Sequence, residues 1–223
     1  MLLKNGNKVI ICGRSNEKLD AAKQQNTNFI TCQCDLSNRK ECADFAQLIR
    51  KNHPDLNVLV NNAAIVHKTS FLEDSQIMEK LIAELHTNLV APLQLIHELI
   101  PVLENNKNAE IINITTGLIY IPRALYPFYN ATKAALHSFT QVLRTQMNGK
   151  QINVVEVMFP AVDTPWHQRN PPKIAISPEK AVGEMIIRLK KSKPEIRVGG
   201  AKVLYKMSRL APGFAFKKVN SLK

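Results

Sequence analysis

Short apolar runs alternate along the chain with longer stretches in which apolar residues recur every three or four positions. The short runs have the length of buried strands, and the longer stretches have the period of amphipathic helices. The predicted strands are residues 8–12, 29–33, 56–60, 110–114, 152–158 and the short 195–198. The predicted helices are residues 17–25, 38–52, 75–105, 128–148 and 178–192. This alternation predicts an α/β fold in which helices cover both faces of a parallel sheet.

Ligands of such sheets bind beyond the carboxyl ends of the strands, so the residues that follow each strand are candidates for chemistry. A second candidate lies within a predicted helix, where Tyr129 and Lys133 are four residues apart and therefore share one face. An ammonium group beside a phenol favours the phenolate and lowers the tyrosine pKa. Such a pair can exchange a proton with a substrate oxygen, although an ordinary surface pair has the same spacing.

Two polar positions add to this pair. Thr116 directly follows the strand predicted at 110–114, where its hydroxyl can bond a substrate oxygen or simply close a turn. Asn88 lies four residues before Pro92, which has no N–H to donate to the Asn88 carbonyl. The freed carbonyl can hold a water for proton transfer, or the proline can merely kink the helix.

Three further polar or small residues follow predicted strands. Asn62 and Ala63 come after strand 56–60, where small residues let a flat ligand approach the backbone, or where asparagines brace a turn. Asp35 follows strand 29–33, where its carboxylate can accept from an adenine amino group or cap the next helix.

Taken in order, these residues resemble the short-chain dehydrogenase/reductase family. The resemblance runs from about Asn5 to Thr164. Its motifs are Gly13-Arg14, Asp35-Leu36, Asn61-Asn62-Ala63-Ala64, Asn88, Thr115-Thr116-Gly117, Tyr129 with Lys133, and the Pro160 to Thr164 stretch. Residues 114–138 and 197–216 also resemble a bacterial branch whose members are often named after the D-alanyl-lipoteichoic acid operon.

The resemblance implies a Rossmann-like, doubly wound fold and hydride transfer between a nicotinamide cofactor and a small carbonyl or alcohol substrate. It implies that Tyr129 is the general acid/base, that Lys133 binds the nicotinamide ribose and lowers the Tyr129 pKa, that Thr116 holds the substrate oxygen, and that Asn88 supports a relay water. On the cofactor side it implies that Asp35 contacts adenine, that Asn62 and Ala63 line the adenosine, and that Thr164 lies near the nicotinamide carboxamide.

Arg14 bears on the choice of cofactor. The first predicted strand is followed by Gly13-Arg14-Ser15, with no acid to pair with a ribose 2′-hydroxyl. A guanidinium at this position suits a 2′-phosphate. The sequence therefore predicts NADP(H) rather than NAD(H), with a plain surface arginine as the alternative.

The beginning of the chain departs from the family pattern. Family members begin with a strand, a glycine-rich turn and a helix that holds the pyrophosphate, and none of these is found before the strand at 8–12. The absent strand would lie between strands 8–12 and 56–60. We therefore expect an N-terminally shortened version of a longer oxidoreductase. The alternatives are a truncated product with impaired cofactor binding and a non-catalytic, Rossmann-like binding protein. Threonine at 116 and alanine at 64 and 161 are smaller departures.

Charge separates the chain into two parts. The 223 residues carry a net charge of +12, and residues 188–223 hold +10 of it. We expect a Rossmann-like oxidoreductase domain at 1–200 and a basic amphipathic tail at 201–223. The apolar face of the tail (Val203, Leu204, Met207 and Leu210) can pack on the domain or an identical subunit, or contact an anionic membrane surface weakly; nucleic acid is the least favoured partner.

The remaining composition limits the class of protein. The four cysteines match no metal-type spacing and the chain has no H-E-x-x-H motif, so we expect free thiols and no metal site. The chain has neither an apolar leader nor a membrane-length apolar run, which favours a cytoplasmic location. The family habit of pairing its long helices implies a homodimer. The proline-rich loop at 166–177, which includes Arg169, is expected to cover the substrate.

Overall fold

The computed structural model describes residues 2–167, 170–191 and 193–221. Strands and helices alternate along the chain as the sequence predicts. The strands are β1 (Val9–Gly13), β2 (Phe29–Gln33), β3 (Val58–Asn61), β4 (Ala109–Thr116), β5 (Ile152–Phe159) and β6 (Glu195–Arg197). The helices are α1 (Asn16–Gln25), α2 (Arg39–Asn52), α3 (Ile77–Leu85), α4 (Ala91–Glu104), α5 (Pro127–Gln146), α6 (Pro178–Leu189), α7 (Ala201–Leu210) and α8 (Pro212–Asn220).

The long helix predicted at 75–105 is divided. A π-helical turn, His86–Val90, separates α3 from α4, and the Ala91 N–H bonds the His86 carbonyl five residues back. Pro92 has no N–H for the carbonyl four residues earlier, so the turn before it widens. The helix predicted at 178–192 ends at Leu189, and Ser192 lies outside the described residues.

All strand pairs are parallel, and the strands form two sheets. One sheet has β1 beside β2, and the other has the order β3-β4-β5-β6. Among the described strands, β1 and β3 are not paired with each other, so the sheet is interrupted between them. The Rossmann-like α/β fold is confirmed, and the sheet is divided at this point.

Helices α2 and α4 join the two sheets across the interruption. The buried side chains of Cys42, Ala46, Leu95 and Leu99 form one apolar cluster, against which residues of both β1 and β3 pack. Arg50 adds a salt bridge of 3.1 Å to Glu98, and the Gln94 amide donates to the Arg39 carbonyl. The two helices therefore hold the strands in relative position where backbone pairing is interrupted.

The C-terminal helices pack on the turn that follows β4. Ile121, Ala215 and Val219 are buried together, and Leu204 and Met207 lie against them. Gly117 sits beneath α7, and a Cβ built there would lie 2.8 Å from Leu204 Cδ1 and 3.1 Å from the Ala201 Cα. The close approach of α7 to this turn therefore depends on the missing side chain of Gly117.

Helix length and hydropathy bear on membrane insertion. Among the residues that the structure describes, no helix combines the length and the apolar character that crossing a bilayer requires.

Gly117→Ala tests the docking of α7. We expect the free energy of unfolding to fall by about 1–3 kcal/mol, because the added methyl group meets backbone as well as side-chain atoms. Denaturant titration measures the change. Gly213→Ala is the matched control, since nothing lies within 4 Å of its Cβ position, and it should leave stability unchanged or slightly higher. Equal stabilities for the two variants would contradict this account.

Candidate active site

Most of the predicted site residues lie along the carboxyl-terminal edge of the strands. Arg14 follows β1, Asp35 follows β2, Asn62 and Ala63 follow β3, Thr116 ends β4, and Thr164 follows β5. Asn88 lies in the π-helical turn, and Tyr129 and Lys133 lie on α5, which packs against β4 and β5. The fold therefore brings residues that are far apart in the sequence to one edge of the sheet.

Tyr129 and Thr116 form the centre of the site. The two side chains share a hydrogen bond, and the Thr116 hydroxyl also accepts from the Leu118 N–H at 3.3 Å. Burial raises the pKa of Tyr129 to about 12, and it outweighs the lowering caused by the hydrogen bond with Thr116. This differs from the lowered pKa expected from the Lys133 spacing, because burial of the phenol dominates in the chain alone.

Lys133 is buried beneath the site, with 2% of its surface exposed. Its ammonium Nζ donates to the Ile114 carbonyl at 2.8 Å. Burial lowers the pKa of Lys133 to about 8, and the charge of Glu156 acts in the opposite direction. An ammonium in this position is a charged donor at neutral pH with little water around it.

Asn88 ties the π-helical turn to the segment after β3. Its side-chain oxygen accepts from the Ile65 N–H and its amide donates to the Ile65 carbonyl, both at 2.8 Å. The amide also lies 3.3 Å from the Thr132 hydroxyl on α5. The side chain is fully buried, so its role in this structure is to fix the π-helical turn against the segment after β3 and against α5.

The two candidate cofactor residues after β1 and β2 face each other. Two hydrogen bonds from Ser37 are the main causes that lower the pKa of Asp35. The charge of the exposed Arg14 lowers it further. The Ser37 N–H and hydroxyl both donate to Asp35 Oδ1, at 2.9 and 2.8 Å. Asp35 thus closes a turn with one carboxylate oxygen, and no described residue donates a hydrogen bond to the other.

Asn62, Ala63 and Thr164 leave room beside the strand ends. Asn62 and Ala63 are exposed, whereas the preceding Asn61 is buried and its amide donates to Asn113 Oδ1 at 2.8 Å. Thr164 is half-buried at the start of the turn Pro165–His167. The first asparagine of the pair therefore braces two strands, and the second is free to contact a ligand.

A dinucleotide cofactor fits this edge at its two ends. Arg14 and the exposed Asn62 and Ala63 suit the adenosine end, and the hydroxyls and ammonium of Tyr129 and Lys133 suit a ribose. Within residues 2–167, 170–191 and 193–221, no glycine-rich turn leads from a strand into a helix between β1 and β3. The described residues therefore provide both ends of a dinucleotide site without a cradle for the pyrophosphate.

Aromatic residues cluster around Trp166 in the segment that follows β5. The Trp166 ring meets Tyr126 edge to face at 5.9 Å and His167 at 4.8 Å, and Lys68 Nζ lies 5.6 Å from the Trp166 ring centre. A β-bridge between Val162 and Ile176 closes the base of this loop. The beginning of the loop at 166–177 thus packs against Tyr126, the residue before α5, and Arg169 falls outside the described residues.

A charged pair beneath α5 was missed by the sequence analysis. Glu156 is fully buried on β5, accepts from the Thr115 hydroxyl at 2.5 Å and pairs with His137 Nδ1 at 2.7 Å. This pairing raises the pKa of His137. His137 lies one helical turn after Lys133, and the only acid in the apolar run of β5 is Glu156. An isolated charge in a predicted buried strand was the signal that could have found it.

Glu195 lies next to this pair. Donor atoms of His137, Glu156 and Glu195 are all within 4.8 Å of one another. Arg197 forms a salt bridge with Glu195 and donates to the Tyr120 hydroxyl at 2.9 Å. Arg197 and His137 lie beside the two carboxylates, so the described residues of this cluster pair with one another.

Glu84 is a second buried acid near Tyr129 that was missed. It lies four residues before Asn88 on the same face, and it accepts from the His67 N–H at 2.8 Å and pairs with His67 Nδ1 at 2.9 Å. Burial raises the pKa of Glu84, and its charge in turn raises the pKa of Tyr129. Asn88 and Glu84 therefore hold the segment at 65–67 together.

Comparison with known proteins agrees with this architecture. The family model described as short chain dehydrogenase matches residues 1–175. The uncharacterized oxidoreductase DltE of Bacillus subtilis (strain 168) is 40% identical over 200 residues, which cover 87% of this chain and 79% of that protein. The NADP-dependent 3-hydroxy acid dehydrogenase YdfG of Salmonella typhi is 31% identical over 162 residues, which cover 70% of this chain and 62% of that protein.

Solved structures show the same fold. A short chain dehydrogenase from Burkholderia cenocepacia J2315, determined in complex with NADP, superposes with a TM-score of 0.84 at 22% identity and covers 98% of this chain and 89% of that one. A metagenomic short-chain oxidoreductase in complex with NADP gives a TM-score of 0.71 at 23% identity, with 88% of each chain covered. The match over most of the sequence, together with this fold, shows that the chain belongs to the short chain dehydrogenase family.

Proposed function

We propose that the protein is an NADP(H)-dependent oxidoreductase that interconverts a small carbonyl compound and its alcohol, with Tyr129 as the general acid/base. The observation that carries the proposal is that Tyr129 interacts with Thr116 at the end of β4, while the buried Lys133, one turn later on α5, donates to Ile114 of the same strand. The family to which the chain belongs and the NADP-dependent relative YdfG support the choice of reaction and cofactor.

The bound nicotinamide supplies or accepts the hydride in this reaction. In the reducing direction the substrate oxygen becomes an alkoxide as the hydride reaches the carbonyl carbon, and Tyr129 gives that oxygen its phenolic proton. A phenol whose pKa is about 12 stays protonated at neutral pH and is ready to donate. The Thr116 hydroxyl holds the substrate oxygen beside the phenol.

The remaining residues hold the cofactor and return a proton to Tyr129 after each reaction. The Lys133 ammonium stabilises the phenolate that forms at Tyr129 and holds the ribose hydroxyls, and a water on the Asn88 carbonyl returns a proton toward Lys133. Arg14 binds the 2′-phosphate, Asp35 contacts adenine, Asn62 and Ala63 line the adenosine, and Thr164 contacts the carboxamide.

The cellular setting is part of the same proposal. The four cysteines are free thiols in the described structure, which supports a cytoplasmic location. Exposed apolar residues on α3 and α5, among them Met78, Ile82 and Val142, support pairing of two chains through the long helices. We also propose that residues 1–200 form the oxidoreductase domain and residues 201–223 a basic tail.

A second candidate function is non-catalytic binding by a Rossmann-like domain. The interruption between β1 and β3 favours it, because the pyrophosphate cradle of a dinucleotide site would lie there. NADPH titration of the folded chain, followed by cofactor fluorescence, separates the two functions. Saturable binding supports the oxidoreductase, and a folded chain that binds neither NADPH nor NADH supports the second function.

Tyr129→Phe removes the proposed proton donor. We expect turnover to fall by about 10²–10⁴-fold, because a positioned general acid contributes about that much. The assay is oxidation of short 3-hydroxy acids with NADP⁺ and reduction of short aldehydes and ketones with NADPH. NADPH affinity should fall far less than turnover, because the phenol is only one of the groups proposed to contact the ribose, and Tyr126→Phe on the same chain should keep its activity. Retention of most of the turnover by Tyr129→Phe would refute the assigned role.

Arg14→Ala tests the cofactor preference. Loss of a charge-assisted contact to the 2′-phosphate should weaken NADPH binding by about 10–100-fold and leave NADH binding unchanged, because only NADPH carries that phosphate. Paired titrations with the two cofactors measure the effect. Lys23→Ala, in the last turn of α1, removes a nearby exposed cation and should change neither affinity. Equal affinities of the unaltered chain for both cofactors would contradict the proposal.

Glu156→Gln tests the charge balance beneath Lys133. Removal of the carboxylate takes away the group that raises the Lys133 pKa, so the pKa should fall further below about 8. Since the proposed role needs the ammonium, kcat/KM should decline at a lower pH than in the unaltered enzyme. A pH profile of kcat/KM measures the shift, and Glu110→Gln, at the amino end of β4, is the control. An unchanged profile in a folded Glu156→Gln protein would overturn this role.

A further inference from the structure

Helices α7 and α8, which contact each other, carry a group of exposed apolar and cationic side chains that we call the tail surface. It consists of Val203, Lys206, Arg209, Leu210, Phe214, Lys217 and Lys218. Its apolar members are unusually open to solvent: Val203 is 59% exposed, Leu210 81% and Phe214 64%. Large apolar side chains grouped in this way mark a surface that contacts something else.

The fold does not need these apolar residues. The same two helices are attached to the domain by their inward faces, where Leu204 and Met207 lie against the buried Ala215 and Val219. The sequence pattern places Val203 and Leu210 on the apolar side of α7 together with Leu204 and Met207. In the structure Leu204 and Met207 are half-buried against the domain, whereas Val203 and Leu210 are exposed. Each helix therefore has one apolar stripe for the domain and further apolar residues that face outward.

The charge of the tail surface has a single sign. Residues 198–221 contain five lysines and arginines and no acid. Lys202 pairs with Glu184, and none of the salt bridges among the described residues involves Lys206, Arg209, Lys217 or Lys218. Four cations thus surround the exposed Leu210 and Phe214 without acidic partners, so an anionic contact would gain from charge and from apolar burial together.

This combination discriminates between possible occupants. A two-fold interface between identical chains would bring the surface against itself and place like charges together, which disfavours a second copy. A nucleic acid would use the cations, but aliphatic side chains such as Leu210 and Val203 gain little from phosphates. The surface of an anionic bilayer has charged headgroups for the lysines and an acyl boundary for the apolar side chains.

We propose that the tail surface binds the surface of an anionic phospholipid bilayer, with Leu210 and Phe214 at the headgroup–acyl boundary and Lys206, Arg209, Lys217 and Lys218 on the headgroups. The helices lie along the bilayer and do not cross it. The contact is peripheral and reversible, because a few apolar side chains and a few charges give only moderate affinity. The inference is independent of the reaction proposed for the active site.

The experiment is co-sedimentation of the full chain with vesicles of phosphatidylcholine alone, or of phosphatidylcholine mixed with phosphatidylglycerol. We expect at least tenfold stronger partitioning to the anionic vesicles, and a marked loss of binding in high salt because screening shortens the range of the charges. Equal binding to both vesicle types, or no binding to either, would overturn the proposal.

Two pairs of variants separate the apolar and the charged contributions. Leu210→Ser with Phe214→Ser should lower partitioning at least tenfold, whereas Leu72→Ser with Ile187→Ser, which alters equally exposed apolar residues elsewhere, should not. Replacement of Lys206, Arg209, Lys217 and Lys218 by glutamine should also lower partitioning to anionic vesicles at least tenfold. Glutamine at the exposed Lys18, Lys23, Lys51 and Lys107 makes the same change in net charge and should not. Circular dichroism checks that each variant is folded.

Two results would assign the surface to another partner and overturn the proposal. The first is binding to a single-stranded RNA that exceeds binding to vesicles and is insensitive to Leu210→Ser with Phe214→Ser. The second is a dimer in light scattering that these two substitutions break while vesicle binding persists. None of these measurements uses turnover or cofactor. A chain that is inactive but binds anionic vesicles would therefore contradict the proposed function and support the membrane contact.

Discussion

The candidate site depends on a lysine ammonium that is almost completely removed from water. An isolated buried ammonium is strongly unfavourable, so the surrounding structure has to supply donors, acceptors and charge. The Ile114 carbonyl accepts from Lys133, and the neighbouring Thr115 holds the Glu156 carboxylate, which is itself paired with His137. A layer that would be apolar in most α/β proteins is polar here, and its members satisfy one another.

This polar layer continues along the inner face of α5. Asn61 on β3 bonds Asn113 on β4, and the Asn113 amide donates to Thr140 on α5. These bonds join two strands and one helix, and they fix how α5 lies on the sheet. Since Tyr129 and Lys133 project from that helix, the same bonds determine where the phenol and the ammonium meet the end of β4. The positions of the reactive groups are therefore a consequence of the polar layer beneath them.

The interruption between β1 and β3 has a different consequence. Apolar packing through α2 and α4, rather than backbone pairing, holds β1 and β2 beside the larger sheet. Arg14 and Asp35 follow the strands of the smaller sheet, whereas Tyr129 and Lys133 lie on α5, which packs against β4 and β5 of the larger one. The two ends of the proposed cofactor site are thus connected by side-chain packing, which is less rigid than a continuous ladder of hydrogen bonds.

The order and type of the elements were determined by the sequence alone, because the periods of strands and helices are local properties of the chain. The runs at 29–33 and 152–158 gave β2 and most of β5, and the spacing of Tyr129 and Lys133 placed both on one helix face. Pro92 also indicated an irregular turn in its helix, because its missing N–H affects the carbonyl only one turn earlier. Tertiary structure alone decided that Glu156 and His137 pair beneath Lys133, that burial outweighs the nearby charge at Tyr129, and that α7 turns Leu204 inward and Leu210 outward. Each of these three outcomes depends on groups distant in sequence and on the exclusion of water by packing. The local period of a strand or helix contains no information about either of these causes.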